Sequence, residues 1–239
     1  MSIKPEIKIF KTADQLAETV AAGLKDLINA GTCHIALSGG STPAMLFQKL
    51  ATEKTNTIHW RNAHFYWGDE RCVGPNHDES NFKMTKQLLF DHINIPIENI
   101  QRIQGELEPE NEAKRYAELI SENVPNKNGI PQFDLILLGM GTDGHTASIF
   151  PNQMNLLNSG KLCDVATHPD SGQKRITFTG SLINHAKNVV FLVTGSNKAE
   201  KIDVILCHKE GFKKFPAAHI APNQGLLSWY LDQSAASLL

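Results

Sequence analysis

Short apolar runs alternate with segments of helical period along most of this 239-residue chain. Such alternation restricts a chain to a mostly parallel sheet with helices packed over it. Thr12, followed three residues later by Gln15, opens a capping box. Leu16, Val20, Leu24, Leu27 and Ile28 then share one face at helical spacing. Gly31 stands where a C-terminal cap belongs. A strand over 34–37 follows, then Ser38-Gly39-Gly40-Ser41-Thr42-Pro43, then a helix from 43 to about 51. Pro43 suits the first helical position, where its missing N–H would be unpaired anyway. The pattern continues with a strand over 63–67, a weaker helix over 79–90 and an amphipathic helix marked by Ala113, Tyr116, Ala117, Ile120 and Val124. Residues 133–138 form a strand apolar enough for burial on both faces. A strand over 188–194 precedes a helix over 198–207, and 175–179 and 226–231 add further strands. The expected fold is α/β, a mostly parallel sheet with helices on both faces, Rossmann-like and three-layered. The turn-rich stretch 125–131 is too short for a linker, so one domain is expected over 1–239.

With 41% hydrophobic and 20% charged residues, the chain can bury a full core. A net charge of -2, with Lys and Arg scattered, lacks the clustered basic excess that nucleic-acid binding requires. No apolar run approaches the roughly 20 residues of a membrane span. Residues 1–10 alternate Ile with Lys and Glu and lack the apolar core of a secretory signal. Cys33, Cys72, Cys163 and Cys207 show no C-x-x-C spacing, so reduced thiols and a cytoplasmic location are expected. The phosphate loop of nucleotide triphosphatases, the H-E-x-x-H zinc motif and the G-x-S-x-G nucleophile elbow are all missing.

In open sheets of this kind, ligands bind beyond the C-terminal ends of the strands. Four unusual segments fall at such ends. In the first, Gly39 and Gly40 let backbone N–H groups from Ser38 to Thr42 approach an anion, Ser41 and Thr42 add hydroxyls, and a helix start points its positive end there. Read alone, the segment is either a phosphate cradle or a tight turn capped by Thr42. The second is Gly68-Asp69-Glu70-Arg71-Cys72-Val73. Three charges in a row are usually a solvated loop, but here Arg71 suits a bidentate fork to a phosphate. Asp69 or Glu70 suits holding Arg71 or accepting from sugar hydroxyls. Cys72 fits best as a small buried hydrophobe.

The third segment, 139–151, has three glycines in six residues, with Asp143 and His145 two apart at the start of an expected short helix. His145 is the candidate general base; the plainer reading makes Asp143 a helix cap and His145 an ordinary polar residue. Ser148, three residues on, is a poor candidate nucleophile. In the fourth, Gly195-Ser196-Asn197-Lys198-Ala199, Lys198 falls in a first helical turn. The macrodipole disfavours a cation there, so either an anionic ligand compensates or Lys198 reaches to water.

Taken together, Ser38-Gly-Gly-Ser-Thr-Pro43, Trp67-Gly-Asp-Glu-Arg-Cys-Val73, Ser80-Asn81, Gly139-Met-Gly-Thr-Asp-Gly-His-Thr-Ala-Ser148 and Gly195-Ser-Asn-Lys-Ala199 resemble, in order, the 6-phosphogluconolactonase family. Lys174-Arg-Ile-Thr-Phe-Thr179, Pro216-Ala217-Ala218 and Trp229 are similar to further family segments. The resemblance implies hydrolysis of 6-phospho-D-glucono-1,5-lactone in the oxidative pentose phosphate pathway, with no metal and no organic cofactor. It implies His145 as the catalytic histidine, and Arg71, Arg175 and Lys198 as basic residues at the phosphate or substrate. Glucosamine-6-phosphate deaminase/isomerase is the nearest alternative. That related family carries an Asn-Glu-Pro sequence after its histidine, where this chain has Ile149-Phe150-Pro151, and Phe150 cannot accept a proton. It also has Tyr-Val-Gly after its Asp-Glu pair, where this chain has Arg71-Cys72-Val73. A non-catalytic phosphosugar-binding module is the third reading, but it normally comes with a DNA-binding module for which no basic face is visible. A small phosphosugar lactone is the expected partner and a monomer the expected state.

Overall fold

The computed structural model describes residues 5–52 and 57–239, so the first four residues of the N-terminal segment lie outside it. In chain order the elements are β1 (Glu6–Phe10), α1 (Ala13–Ala30), β2 (Cys33–Leu37), α2 (Ser41–Thr52), β3 (Ala63–Trp67), β4 (Asp69–Arg71), α3 (Asn81–Leu88), α4 (Pro109–Asn123), β5 (Asn126–Lys127), β6 (Ile130–Pro131), β7 (Leu135–Leu138), β8 (Cys163–Thr167), β9 (Lys174–Phe178), α5 (Gly180–Ile183), β10 (Asn188–Val193), α6 (Ala199–Leu206) and β11 (Leu226–Asp232).

Six strands form one sheet in the order β1-β11-β10-β7-β2-β3, and every neighbouring pair is parallel. All residues of β2 and β7 are buried, so both faces of the sheet are covered at its centre. This is the expected α/β architecture. Helix α1 starts as its sequence dictates: the Thr12 hydroxyl accepts from the Gln15 N–H at 3.2 Å, and Gly31, at φ +149°, ends it. Aromatic stacking fixes the core, with the Phe191 and Trp229 rings parallel at 3.9 Å.

Three details depart from expectation. Helix α2 begins at Ser41 rather than at Pro43, because the Ala44 N–H already bonds the Gly40 carbonyl at 3.1 Å. Pro43 is still within the first turn, where an N–H has no intrahelical partner. The stretch 125–131 is a hairpin, β5 and β6, turned by Asn128 and Gly129 at φ +56° and +87°. Two positive φ values are what a two-residue hairpin turn needs, and Asn-Gly supplies them cheaply. Finally, β4, β9 and β8 form a separate antiparallel sheet. Helix α4 packs on β8 and β9, and the Tyr116 hydroxyl ties it to the main sheet by accepting from the Trp67 N–H at 2.9 Å.

Gly68 is the junction between the sheets. Its N–H donates to the Leu37 carbonyl at the end of β2, and its carbonyl accepts from the Phe178 N–H at the end of β9. The chain therefore leaves the main sheet beside β2 and delivers β4 to the C-terminal ends of the central strands. From β2 the path runs outward to β3. From β7, the other neighbour of β2, it runs the opposite way to β10 and β11. The gap between β2 and β7 is thus the switch point at which sheets of this class bind ligands.

Candidate active site

Strands β2 and β7 end in Ser38-Gly39-Gly40 and Gly139-Met140-Gly141, on either side of that gap. An open cleft of about 190 Å³ lies there, also lined by Asp69, Arg71, Asn81, His145, Ala147 and Arg175. Of the candidate residues, Ser38, Gly39, Gly40, Asp69, Arg71, His145 and Arg175 line the cleft; Ser41, Thr42, Asp143 and Lys198 do not.

Two arginines line the cleft. Arg71 on β4 and Arg175 on β9 are direct cross-strand partners. Like charges so placed destabilise a sheet unless something negative sits between them. Burial lowers the pKa of Arg175; Asp69 opposes this and the charge of Arg71 adds to it. The Arg175 guanidinium also lies 5.6 Å from the centre of the Phe150 ring. Arg71 donates to the Glu79 carbonyl through Nη1, while its buried Nε, like the buried Ser38 hydroxyl, has no partner among the described residues. Unmet buried polar groups cost roughly 1–3 kcal/mol each, so this corner is built for a ligand with several acceptors.

The carboxylates beside Arg71 divide their work. Glu70 points inward and accepts from the N–H groups of Arg71, Asn81 and Phe82, each at 2.8 Å, and from the Ser80 hydroxyl at 3.0 Å. Burial raises its pKa against these bonds. Glu70 therefore anchors the start of α3 and does not face the cleft. Asp69 does face it, and one of its oxygens accepts from the Ser148 hydroxyl at 2.7 Å. Asn81 had no assigned role in the sequence, although Ser80 marks the helix start beside it. Its side chain donates to the Asp69 carbonyl at 2.9 Å and packs on Gly39, where a Cβ would lie 1.9 Å from its oxygen.

The cleft wall also carries His145. Its Nδ1 is 2.6 Å from Asp143 Oδ1, which also accepts from the His145 backbone N–H at 3.1 Å. Burial raises the pKa of Asp143, but the bonds and charge of His145 outweigh it and leave the carboxyl below its ordinary value. With Nδ1 engaged by a carboxylate, Nε2 is the nitrogen left to take a proton. Gly141 must be glycine here, since a Cβ would lie 2.2 Å from His145 Nδ1 and 2.5 Å from Asp143 Oδ1. The His145 ring leans on Phe150 at 4.8 Å between centres.

No helix begins at Asp143, contrary to expectation. Gly144 and Ala147 take φ values of +82° and +47°, which no α-helix accommodates. Ser148 consequently shares no helix face with His145; it is buried with its hydroxyl on Asp69, which removes it as a nucleophile. Asp143 holds the imidazole instead of capping a helix.

The remaining candidates lie at the margin. Ser41 is exposed at the start of α2, and the Thr42 hydroxyl is 2.8 Å from that of Thr194, which ties α2 to the end of β10. Lys198 is half-buried at the end of a 3-10 turn, Ser196–Lys198, directly before α6. Burial lowers its pKa and Asp143 pulls it back up, so its electrostatic neighbour is Asp143.

A doubly covered parallel sheet with a cationic, histidine-bearing cleft at its switch point is the class of protein that the fold and cleft define. The chain belongs to the family of glucosamine-6-phosphate isomerases and 6-phosphogluconolactonases, whose sequence profile matches residues 10–229. The 6-phosphogluconolactonase of Haemophilus influenzae is 49% identical over 207 residues, which cover 86% of this chain and 87% of that protein. Among solved structures, the devB protein superposes with a TM-score of 0.93 at 45% identity, over 97% of this chain and 98% of the other. The 6-phosphogluconolactonase of Trypanosoma brucei superposes with a TM-score of 0.88 at 29% identity, over 100% of both chains.

Proposed function

We propose that this protein hydrolyses 6-phospho-D-glucono-1,5-lactone to 6-phospho-D-gluconate, the lactone-opening step of the oxidative pentose phosphate pathway, with His145 as the general base. The observation that carries the reading is one cleft lined both by the Arg71–Arg175 pair and by His145, whose Nδ1 is held by Asp143. The likeness to named lactonases over most of the chain supports the same substrate.

In this reading the phosphate binds Arg71 and Arg175, with the Ser38 hydroxyl and the Gly39-Gly40 turn beside them. Asp69 accepts from a sugar hydroxyl through its remaining lone pairs. Neutral His145 takes a proton through Nε2 from a water as that water attacks C1. The resulting tetrahedral oxyanion needs preorganised donors. The Gly141 N–H is already bonded to the His145 carbonyl at 2.9 Å and is not one of them. Collapse breaks the C1–ring-oxygen bond, and the imidazolium returns its proton to the departing oxygen. Asp143 holds the ring in the tautomer that exposes Nε2 and stabilises the imidazolium between the two transfers. Lys198, beside Asp143, adds positive potential at that end of the cleft. A lactone is an activated ester, so one positioned base suffices; such a base supplies on the order of 10²–10⁴ in rate.

The related isomerisation needs a further proton-accepting side chain near the histidine. Phe150 occupies that place here, packed against His145. The proposed enzyme works as a cytoplasmic monomer; its four free cysteines suit a reducing compartment. Among the described residues no helix is long and apolar enough to cross a membrane. The test is product identity. Acid released from fresh lactone above the spontaneous rate, with no ammonia from glucosamine 6-phosphate, supports the reading. Ammonia without lactone turnover contradicts it.

A further inference from the structure

Between the base and the arginines runs a connection that the reaction as written does not use. Ser148 lies three residues after His145 and is fully buried. Its hydroxyl donates to Asp69 Oδ2 at 2.7 Å, and its backbone N–H donates to the Thr177 hydroxyl at 3.1 Å. Asp69 is two residues before Arg71 on β4, and Thr177 two residues after Arg175 on β9. Asp69 and Thr177 are themselves cross-strand partners, as Arg71 and Arg175 are. On a strand, residues two apart point to the same face. Ser148 thus ties the loop that carries His145 to the same face of the two strands that carry the arginines.

Ala147, between His145 and this tie, has φ +47°. A left-handed residue other than glycine is strained, and it persists only where its surroundings over-determine it. Two bonds from the next residue, both made in a dry interior, provide that determination. The Thr177 hydroxyl is itself fixed, since it donates to the Phe178 carbonyl at 3.0 Å.

We propose that Ser148 is a positioning residue that sets the distance and angle between the His145 base and the Arg71–Arg175 pair, so that a substrate held by its phosphate presents its carbonyl carbon to a water on Nε2. The inference rests on the proposed roles of His145 and the arginines. It accounts for a serine that is buried beside the cleft yet placed away from the reacting atoms. Phosphate binding alone does not need the tie, because both arginines are already fixed by the β4–β9 ladder. Geometry between the base and the anchored substrate does need it, since errors of about 1 Å cost on the order of a hundredfold in rate.

The experiment compares Ser148→Ala, Thr177→Val and Thr177→Ser. Thr177→Val keeps the shape and removes the acceptor, whereas Thr177→Ser keeps the hydroxyl. Ser148→Ala and Thr177→Val each lower kcat about tenfold or more per folded site, while KM and the dissociation constant for 6-phosphogluconate stay within about twofold. Thr177→Ser retains near-normal kcat. The double variant Ser148→Ala/Thr177→Val loses little beyond the worse single, because the two bonds act as one tie. A purely structural role lowers the thermal midpoint and the folded fraction but leaves kcat per folded site unchanged, and that result overturns the proposal. So does a rise in KM at constant kcat. If Ser148→Ala does not fold, the Thr177 pair decides by the same criteria. His145→Ala, run in parallel, separates the two readings. Full kcat in His145→Ala overturns the base assignment, whereas loss there with full kcat in Ser148→Ala and Thr177→Val overturns only the positioning role.

Discussion

Arg71 and Arg175 stand directly opposite each other on neighbouring antiparallel strands, both on the wall of one cleft. Their mutual repulsion is a standing cost of roughly 0.2–1 kcal/mol by analogy with other like-charged cross-strand pairs. A bound dianion converts that cost into a pair of charge-assisted bonds. Without ligand, Arg175→Gln should therefore leave the thermal midpoint unchanged or raise it. With ligand the order reverses. Losing one charged bond worth about 1.5–3 kcal/mol raises KM roughly 10- to 100-fold. Wild-type protein should gain about 2.7 kcal/mol from 6-phosphogluconate at a hundred times its Kd, and the variant should lose most of that gain. Thermal melts with and without the ligand decide it; equal ligand stabilisation of the two proteins contradicts the assignment.

Asp143 stays ionised through the neutral range, because His145 holds its carboxyl below the ordinary value. Asp143→Asn keeps the shape but can offer its amide to Nδ1, which favours the wrong tautomer. The expected loss is on the order of tenfold to a hundredfold in kcat, smaller than loss of the base itself. Steady-state kinetics with KM nearly unchanged supports the orienting role, and an unchanged kcat removes it.

Gly141→Ala tests the same pair without touching either partner. The added Cβ would meet both the imidazole and the carboxylate at 2.2 and 2.5 Å. The pair must separate, so kcat should fall at least about tenfold while the far-ultraviolet circular dichroism remains native. Normal turnover by a folded Gly141→Ala enzyme counts against the observed dyad geometry as the working one.

A pH effect on stability arises at the other end of the sheet. His34 is buried, and its ring stacks on His64 at 4.9 Å with planes 14° apart. Burial, and then the neighbouring His64, push the pKa of His34 from 6.5 down to about 4. Burial lowers that of His64 as well. The folded state therefore prefers the neutral rings. Below pH 6.5 the unfolded chain binds protons that the folded chain refuses, so stability falls between pH 6.5 and about 4. His34→Gln should flatten the thermal midpoint against pH in that window. Parallel curves for the two proteins contradict this.

Much of this was legible in the sequence, and the parts that were not share a cause. The main-sheet strands after β1 and the longer helices announce themselves because burial imposes period on them. Strand β1 carries no such period. It lies at the sheet edge with most of its residues exposed, so its Ile–Lys alternation follows no buried face. The hairpin over 126–131 has a visible signal in Asn128-Gly129, the dipeptide that a two-residue hairpin turn favours. In the cleft, Gly-rich turns at strand ends located Ser38, Gly39, Gly40 and His145. Two features needed tertiary contacts. The left-handed Ala147, which stops a helix from forming at Asp143, depends on the tie from Ser148 to β4 and β9. Glu70 reads either as part of a solvated charge run or as a partner for Arg71 or a sugar, yet it is buried because the start of α3 brings the Asn81 and Phe82 N–H groups and the Ser80 hydroxyl to it, beside the Arg71 N–H of its own strand. The Ser80-Asn81 helix start was the available hint.

The central claim is that His145 activates water against a lactone that the arginines hold by its phosphate. The most direct measurement is kcat and KM of His145→Ala beside Arg71→Ala on fresh 6-phosphogluconolactone, corrected for spontaneous hydrolysis. The account predicts that His145→Ala loses on the order of 10²–10⁴ in kcat with little change in KM, while Arg71→Ala mainly raises KM. A His145→Ala enzyme that keeps wild-type kcat would contradict it.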